Sequence, residues 1–267
     1  MPEGHTIHRL ARSLRAAFAG EPVSVCSPQG RFADGAKKLD GATMNSAHAH
    51  GKHLFAEFDA DRWLHVHLGL FGRFDVVEEP AGPVRGEVRL RMTSARAHAD
   101  LRGPSACELL DPAAKEAITA RLGPDPLRGD DPEPALNRIA RSAAPIGILL
   151  MDQSVVAGVG NVYRAEVLFR AGVDPARPGR SVPVDVLQAI WADLVHLMTL
   201  GVRTGRIDTV RPEHEPAAMG RAPRSDDHGG EVYVYRRAGQ ACLVCGTPVS
   251  SGVAAARNTF WCPTCQR

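Results

Sequence analysis

Lysine is scarce in this chain of 267 residues: only Lys37, Lys38, Lys52 and Lys115 stand among 32 basic residues, and the arginine bias is assigned to genomic base composition rather than to function. No apolar run reaches membrane-spanning length, and the N-terminus lacks the charged-then-apolar order of a signal peptide. A soluble, cytoplasmic protein with no membrane partner is therefore expected. The formal net charge of +2 is too small to argue for a polyanionic partner by itself. After Gly220, however, six arginines face three acids, a local excess compatible with nucleic acid. Internal repeats and long low-complexity tracts are also missing. The length allows two domains, or one with an appendage.

Ile7, Leu10, Ala11, Leu14 and Phe18 recur at helical spacing, so residues 4–19 predict an amphipathic helix that ends at Gly20 before Pro22. Short alternating segments follow: 54–58, 63–68, 74–77 and 87–92, with turn residues between them, which suggests an antiparallel sandwich or barrel. The Pro-, Gly- and Asp-rich stretch at 123–134 sustains neither period and is read as an interdomain linker. Beyond it the pattern is helical at 135–143, 146–153, 163–171 and 184–200. Residues 219–230 read as a mobile loop, and Val232-Tyr233-Val234-Tyr235 as a strand.

The most specific motif is at the C-terminus. Cys242-x-x-Cys245 and Cys262-x-x-Cys265 have the spacing of a four-thiolate zinc ribbon, a closed and therefore structural site. A redox pair is the competing reading. Cys26 and Cys107 are isolated and read as buried apolar residues.

Other signals are weaker taken singly. Loss of Met1 would leave Pro2 with a terminal secondary amine beside Glu3; such an amine titrates near pH 8, far below lysine, and is a candidate covalent nucleophile. Pro2 is also commonplace at a second position, and Glu3 could simply favour a helix start. Residues 157–163, with Gly158, Gly160 and Asn161, lack the third glycine of a dinucleotide fingerprint but can offer backbone N–H groups and the Asn161 amide to one phosphate; an Asn161 N-cap is the plain alternative. Lys52, following Gly51 on a hairpin, could reach a phosphate or protonate a leaving group. Leu70 and Phe71 lie between Gly69 and Gly72 and could wedge into a base stack or pack in a core. Arg257, between the cysteine pairs, could meet a phosphate or only solvent. His48, His50 and His53 could suggest a metal site, although three histidines on a turn are more often solvated.

Taken together and in this order, Met1-Pro2-Glu3-Gly4, Gly51-Lys52, 67–72, 149–166 and the terminal ribbon resemble the family of formamidopyrimidine-DNA glycosylase and endonuclease VIII. The resemblance spans nearly the whole chain. It implies an α+β protein: an N-terminal antiparallel β-sandwich behind a catalytic helix (1–122), the linker 123–134, a helix-two-turn-helix domain (135–231) and a zinc ribbon (232–267), with damaged DNA bound in the cleft between. It also implies roles. Pro2 would attack C1′ and form a Schiff base, Glu3 would protonate the sugar ring oxygen, and Lys52 would contact the phosphate and assist proton transfer. Asn161 and Arg257 would grip phosphates; Leu70 and Phe71 would fill the gap left by a flipped nucleotide.

The implied activity is base excision of oxidised bases with β,δ-elimination at the abasic site, by a monomer that holds one structural zinc and no organic cofactor and meets the nucleoid through its DNA. Gly4 and the Leu70-Phe71 pair look more like the endonuclease VIII branch, which favours oxidised pyrimidines. One departure stands out: His5 and Thr6 occupy places where many members have Pro and Glu. A non-catalytic zinc-containing DNA-binding module is the alternative, and a metal-dependent hydrolase on His48, His50 and His53 comes third.

Overall fold

A computed structural model describes residues 2–225 and 230–267, which fall into two compact units, Met1–Arg121 and Leu122–Arg267. The first unit begins with α1 (Gly4–Phe18), whose Ile7, Leu10, Ala11, Leu14 and Phe18 are all buried as the spacing predicts. Strands β1 (Pro22–Cys26), β2 (Ala42–His50), β3 (His53–Phe58), β4 (Arg62–His67), β5 (Arg73–Val77), β6 (Leu90–Thr93), β7 (His98–Arg102) and β8 (Ala106–Leu110) follow. The short helix α2 (Ala33–Leu39) lies between β1 and β2, and α3 (Pro112–Thr119) comes after β8.

All pairings are antiparallel, in the order β5-β7-β6-β1-β2-β3-β4-β8. The corner is β1: Pro22 and Val23 pair with β2, while Ser24, Val25 and Cys26 pair with β6. A strand that divides its partners in this way turns one ribbon of strands into two facing halves. Leu54, Phe58, Leu64 and Val66 from one half, Val25, Leu90, Met92 and Leu101 from the other, and Ile7, Leu14 and Phe18 from α1 share a single core. This is the expected sandwich behind its helix.

Strands β1, β2, β7 and β8 were not among the segments expected from alternation. In β2 the buried positions are Met44, Ala47, Ala49 and His50, and a register shift between Met44 and Ser46 breaks the period. With alanine as most of its inward bulk, the strand carries little alternating signal. His48 and His50 therefore lie on a strand rather than on the expected turn. Only Gly51 and Lys52 make that turn.

The second unit holds α4 (Glu133–Ala140), α5 (Ile146–Leu149), α6 (Asn161–Arg170), α7 (Val184–Thr204), α8 (Pro216–Met219) and the hairpin β9 (Ser250–Ala254) with β10 (Arg257–Trp261). The stretch read as a linker is folded into this unit: Gly123 donates to the Gln153 carbonyl, Pro124 accepts from Ala157, and Asp125 is fully buried. Of the expected loop at 219–230, residues 226–229 lie outside the described residues. Arg221 and the Arg224 amide both bond the Glu231 carboxylate, at 2.6 Å each.

Residues 232–235 are not a strand, which corrects the reading from their alternation. Instead the chain wraps the carboxylate of Glu166, which is fully buried on α6. The amides of Tyr233, Val234 and Tyr235 donate to it at 2.7, 2.9 and 2.9 Å, and the Thr209 hydroxyl at 2.6 Å. Three amides converging on one anion need a curved backbone, which a sheet ladder does not provide.

Glu166→Gln would set an amide –NH2 against these donors, and hydrogen bonds to a charged group are worth more than neutral ones. We expect a loss of roughly 3 kcal/mol, read as a lower urea midpoint. A variant as stable as the parent would show that the carboxylate does not hold this segment.

Candidate active site and metal centre

Pro2 is half-buried and Glu3 completely buried, immediately before the first turn of α1. Glu3 sits at the N-cap with extended backbone (φ −117°, ψ 179°), so its carboxyl group is set by a helix whose far side is locked into the sandwich core. His5 is buried, with its Nε2 3.3 Å from the Thr6 hydroxyl. Lys52 occupies the second place of a two-residue turn between β2 and β3, closed by the His50–His53 pair; Gly51 supplies the positive φ (58°) that the first place of such a turn requires.

Leu70 and Phe71 project from the turn after β4. Phe71 is 91% exposed and Leu70 51%, so neither belongs to the core. The turn is closed by the Gly72 amide donating to the Leu68 carbonyl at 3.0 Å, and a Cβ on Gly72 would lie 2.2 Å from that oxygen. Only glycine allows the loop to close this tightly. A tight turn thus holds two large apolar side chains in water rather than in the core, an exposure that needs a reason.

In the second unit Gly160, not Asn161, caps α6, and Asn161 is the first helical residue. Its buried amide donates to the Asn258 carbonyl at 3.0 Å, and Arg164 donates to the same oxygen at 2.8 Å and also to the Asn161 side chain. This pins strand β10 to α6 one residue beyond Arg257, which is itself exposed at the tip of the hairpin. Asn161 and Arg257 are thus brought to one end of α6. Asn258 escaped the sequence reading because it contributes only backbone. Arg164, almost fully buried, left no pattern by which to find it.

The four expected thiols converge. All four sulfurs of Cys242, Cys245, Cys262 and Cys265 lie within 4.8 Å of one another, with Cys242 to Cys265 at 3.9 Å and Cys245 to Cys262 at 3.5 Å. A tetrahedral zinc with sulfurs at ~2.3 Å would separate them by about 3.8 Å, so the residues fit that ion. Gln266 accepts from the Cys262 amide and donates to the Val173 carbonyl, both at 2.8 Å, which ties the metal knuckle to the helices. Among the described residues no other group of three or more ligating side chains gathers in this way. His48, His50 and His53 do not, and the hydrolase reading is set aside.

Three domain families match the chain in series. The formamidopyrimidine-DNA glycosylase N-terminal domain covers residues 1–107, the formamidopyrimidine-DNA glycosylase H2TH domain 122–212, and the zinc finger found in FPG and IleRS 239–267. Endonuclease 8 1 of Mycobacterium tuberculosis is 51% identical over the full length of both chains. The chain belongs to the formamidopyrimidine-DNA glycosylase family.

Membership makes it a DNA repair enzyme, a glycosylase with abasic-site lyase activity. Formamidopyrimidine-DNA glycosylase of Parasynechococcus marenigrum is 31% identical, covering all of this chain and 99% of its own. DNA-(apurinic or apyrimidinic site) lyase Nei2 of Mycolicibacterium smegmatis is 33% identical with the same coverage. Among solved structures, a Lactococcus lactis FPG mutant in complex with Fapy-dG containing DNA superposes with a TM-score of 0.81 over the whole of both chains at 22% identity, a likeness of fold.

Removal of one metal equivalent by a strong chelator should lower DNA affinity at least tenfold, because the hairpin that carries Arg257 loses its base. Dye-detected zinc release beside fluorescence anisotropy on duplex DNA checks this; unchanged affinity after full release would show that the hairpin stands without metal.

Proposed function

We propose that this DNA glycosylase works through a Schiff base on Pro2 and favours oxidised pyrimidines. The observation that carries the reading is the placement of Pro2 directly before a fully buried Glu3 at the start of a helix fixed in the core. The unprotonated secondary amine of Pro2 would form a bond to C1′ as the glycosidic bond to the damaged base breaks, and its N–H proton would pass to the departing base. Opening of the sugar ring, with a proton passed from the Glu3 carboxyl to the ring oxygen, would leave a cationic imine. Loss of a proton from C2′ then expels the 3′ phosphate, and a second elimination expels the 5′ phosphate. Lys52 would contact a phosphate and assist proton transfer, while Asn161 and Arg257 would hold phosphates around the lesion. Leu70 and Phe71 would occupy the space left by the flipped nucleotide.

Two features support the pyrimidine preference: the Leu70-Phe71 pair displayed on its tight turn, and identity of 51% to Endonuclease 8 1 against 31% to a formamidopyrimidine-DNA glycosylase. The enzyme acts as a monomer with damaged DNA.

Borohydride reduces an imine to a stable amine, so a labelled oligonucleotide with one abasic site should become covalently attached to the N-terminal peptide. Intact mass should show Met1 removed, and Pro2→Gly should lower trapping by at least tenfold. Absence of an adduct from DNA-bound protein that has lost Met1 would end the Schiff-base reading.

Thr6 can neither carry a charge nor span the reach of a glutamate. Thr6→Glu should therefore raise excision of an oxidised pyrimidine several-fold and change abasic-site cleavage less, measured on matched duplexes. If it alters neither rate, position 6 does not govern excision.

A further inference from the structure

Beside the Lys52 turn the sandwich carries a ladder of imidazoles that the proposed chemistry leaves unused. Register builds it: His50 faces His53 across β2 and β3, His53 faces His67 across β3 and β4, and His65 faces Glu108 across β4 and β8. His53 Nδ1 lies 2.9 Å from His65 Nε2, and His65 Nδ1 lies 3.1 Å from Glu108 Oε2. The His53 and His67 rings are 4.9 Å apart, and His67 Nδ1 is 2.6 Å from the Ser105 hydroxyl.

The direction of each hydrogen bond follows from the end of the chain. Glu108 is half in solvent, and an ionised carboxylate only accepts, so His65 carries its proton on Nδ1. A neutral His65 must then accept at Nε2, which places the His53 proton on Nδ1 as well. The Ser105 hydroxyl spends its proton on the His67 carbonyl at 2.9 Å and so accepts from His67 Nδ1. All three rings thus turn their protonated nitrogen toward the β8 side and keep Nε2 as a lone pair.

Neutrality is consistent with the surroundings. Burial, with His67, His65, His50 and Arg121 close by, pushes His53 down to about 3, and burial also holds His65 and His67 below the ordinary value. The charge of Lys52 acts on His67 in the same direction, and Lys52 directly precedes His53 on the turn that the His50–His53 pair closes. The groups around the ladder are His48 and His50 on β2, Lys52 on the turn, His67 on β4, Glu108 on β8, and Arg121.

We propose that Glu108, His65 and His53 are positioning residues for Lys52: their hydrogen-bond chain locks the imidazoles in the Nδ1–H tautomer, so that ring nitrogens bearing lone pairs rather than N–H bonds are left on the side of the Lys52 turn, where they favour the ammonium that meets phosphate. The proposal rests on the reading of Lys52 as a phosphate contact. A chain without the Glu108 acceptor can reverse, with His65 Nε2–H donating to His53.

Nitrogen-15 NMR of the histidine side chains reads the tautomers directly, without DNA or turnover. His53 and His65 should show the Nδ1–H pattern at neutral pH in the parent, and Glu108→Ala should convert them to Nε2–H. Single-turnover cleavage of an abasic site should slow about fivefold in Glu108→Ala with little change in DNA affinity. Glu108→Gln, whose amide oxygen keeps the acceptor, should return to within about twofold of the parent. Nε2–H tautomers in the parent, or a Glu108→Ala variant as fast as the parent, would overturn the proposal. Failure of the Pro2 reading is told apart by the lack of a borohydride adduct in the parent protein, which leaves the tautomer spectrum untouched.

Discussion

The second unit depends on one buried carboxylate. Glu166 is fully buried on a helix whose Tyr163, Val167 and Phe169 are buried too, and the buried Tyr233–Tyr235 segment bonds its carboxylate. An anion in such a place is tolerable only where hydrogen-bond donors surround it. Four donors do, and three are backbone amides of the segment that leads to the first metal knuckle. Without the carboxylate those amides would be orphans in an apolar core. Carboxylate and segment therefore fold as one.

The same helix reaches the zinc ribbon a second time. At its first turn Asn161 and Arg164 hold the Asn258 carbonyl, and at its last turn Arg170 pairs with Asp193 of α7 at 2.6 and 2.7 Å. A helix buried almost all round normally carries apolar residues only. Here its polar residues hold three different pieces of chain, Asn161 and Arg164 sharing one of them, so α6 serves as the spine to which the ribbon, the 232–235 segment and α7 are fastened. The Gln266 bridge to Val173 adds a further tie just beyond its end.

What was legible in the sequence follows from the range of the forces involved. The helix behind Pro2 and the two Cys-x-x-Cys knuckles depend on residues a few positions apart, and both stand where spacing placed them. Local sequence leaves Phe71 either exposed or buried, and the close approach of Gly72 to the Leu68 carbonyl decides for exposure. By contrast, Val232-Tyr233-Val234-Tyr235 has the alternation of a strand, but its amides are claimed by a glutamate 67 to 69 residues earlier. The histidines of β2, β3 and β4 were invisible as a ladder for the same reason. Only the register of β3 on β4 brings His53 opposite His67, and no local pattern encodes a register.

The hairpin that bears Arg257 needs anchoring at its base, where the four cysteines placed to hold a metal lie. Its two turn residues are Ala255 and Ala256, both at positive φ (48° and 58°), a conformation that glycine or asparagine adopts readily and alanine does not. Each such residue costs roughly 1 kcal/mol, and an isolated two-stranded hairpin is marginal in water even with a good turn. Five residue pairs between β9 and β10 offset only part of that strain. The remainder must come from the ends of the strands, where Cys262 follows Trp261 directly and Asn161 and Arg164 grip Asn258. Arg257 therefore sits between a strained turn and two anchors, and its backbone is set by the four-cysteine knuckles and by α6 rather than by the preference of its own sequence.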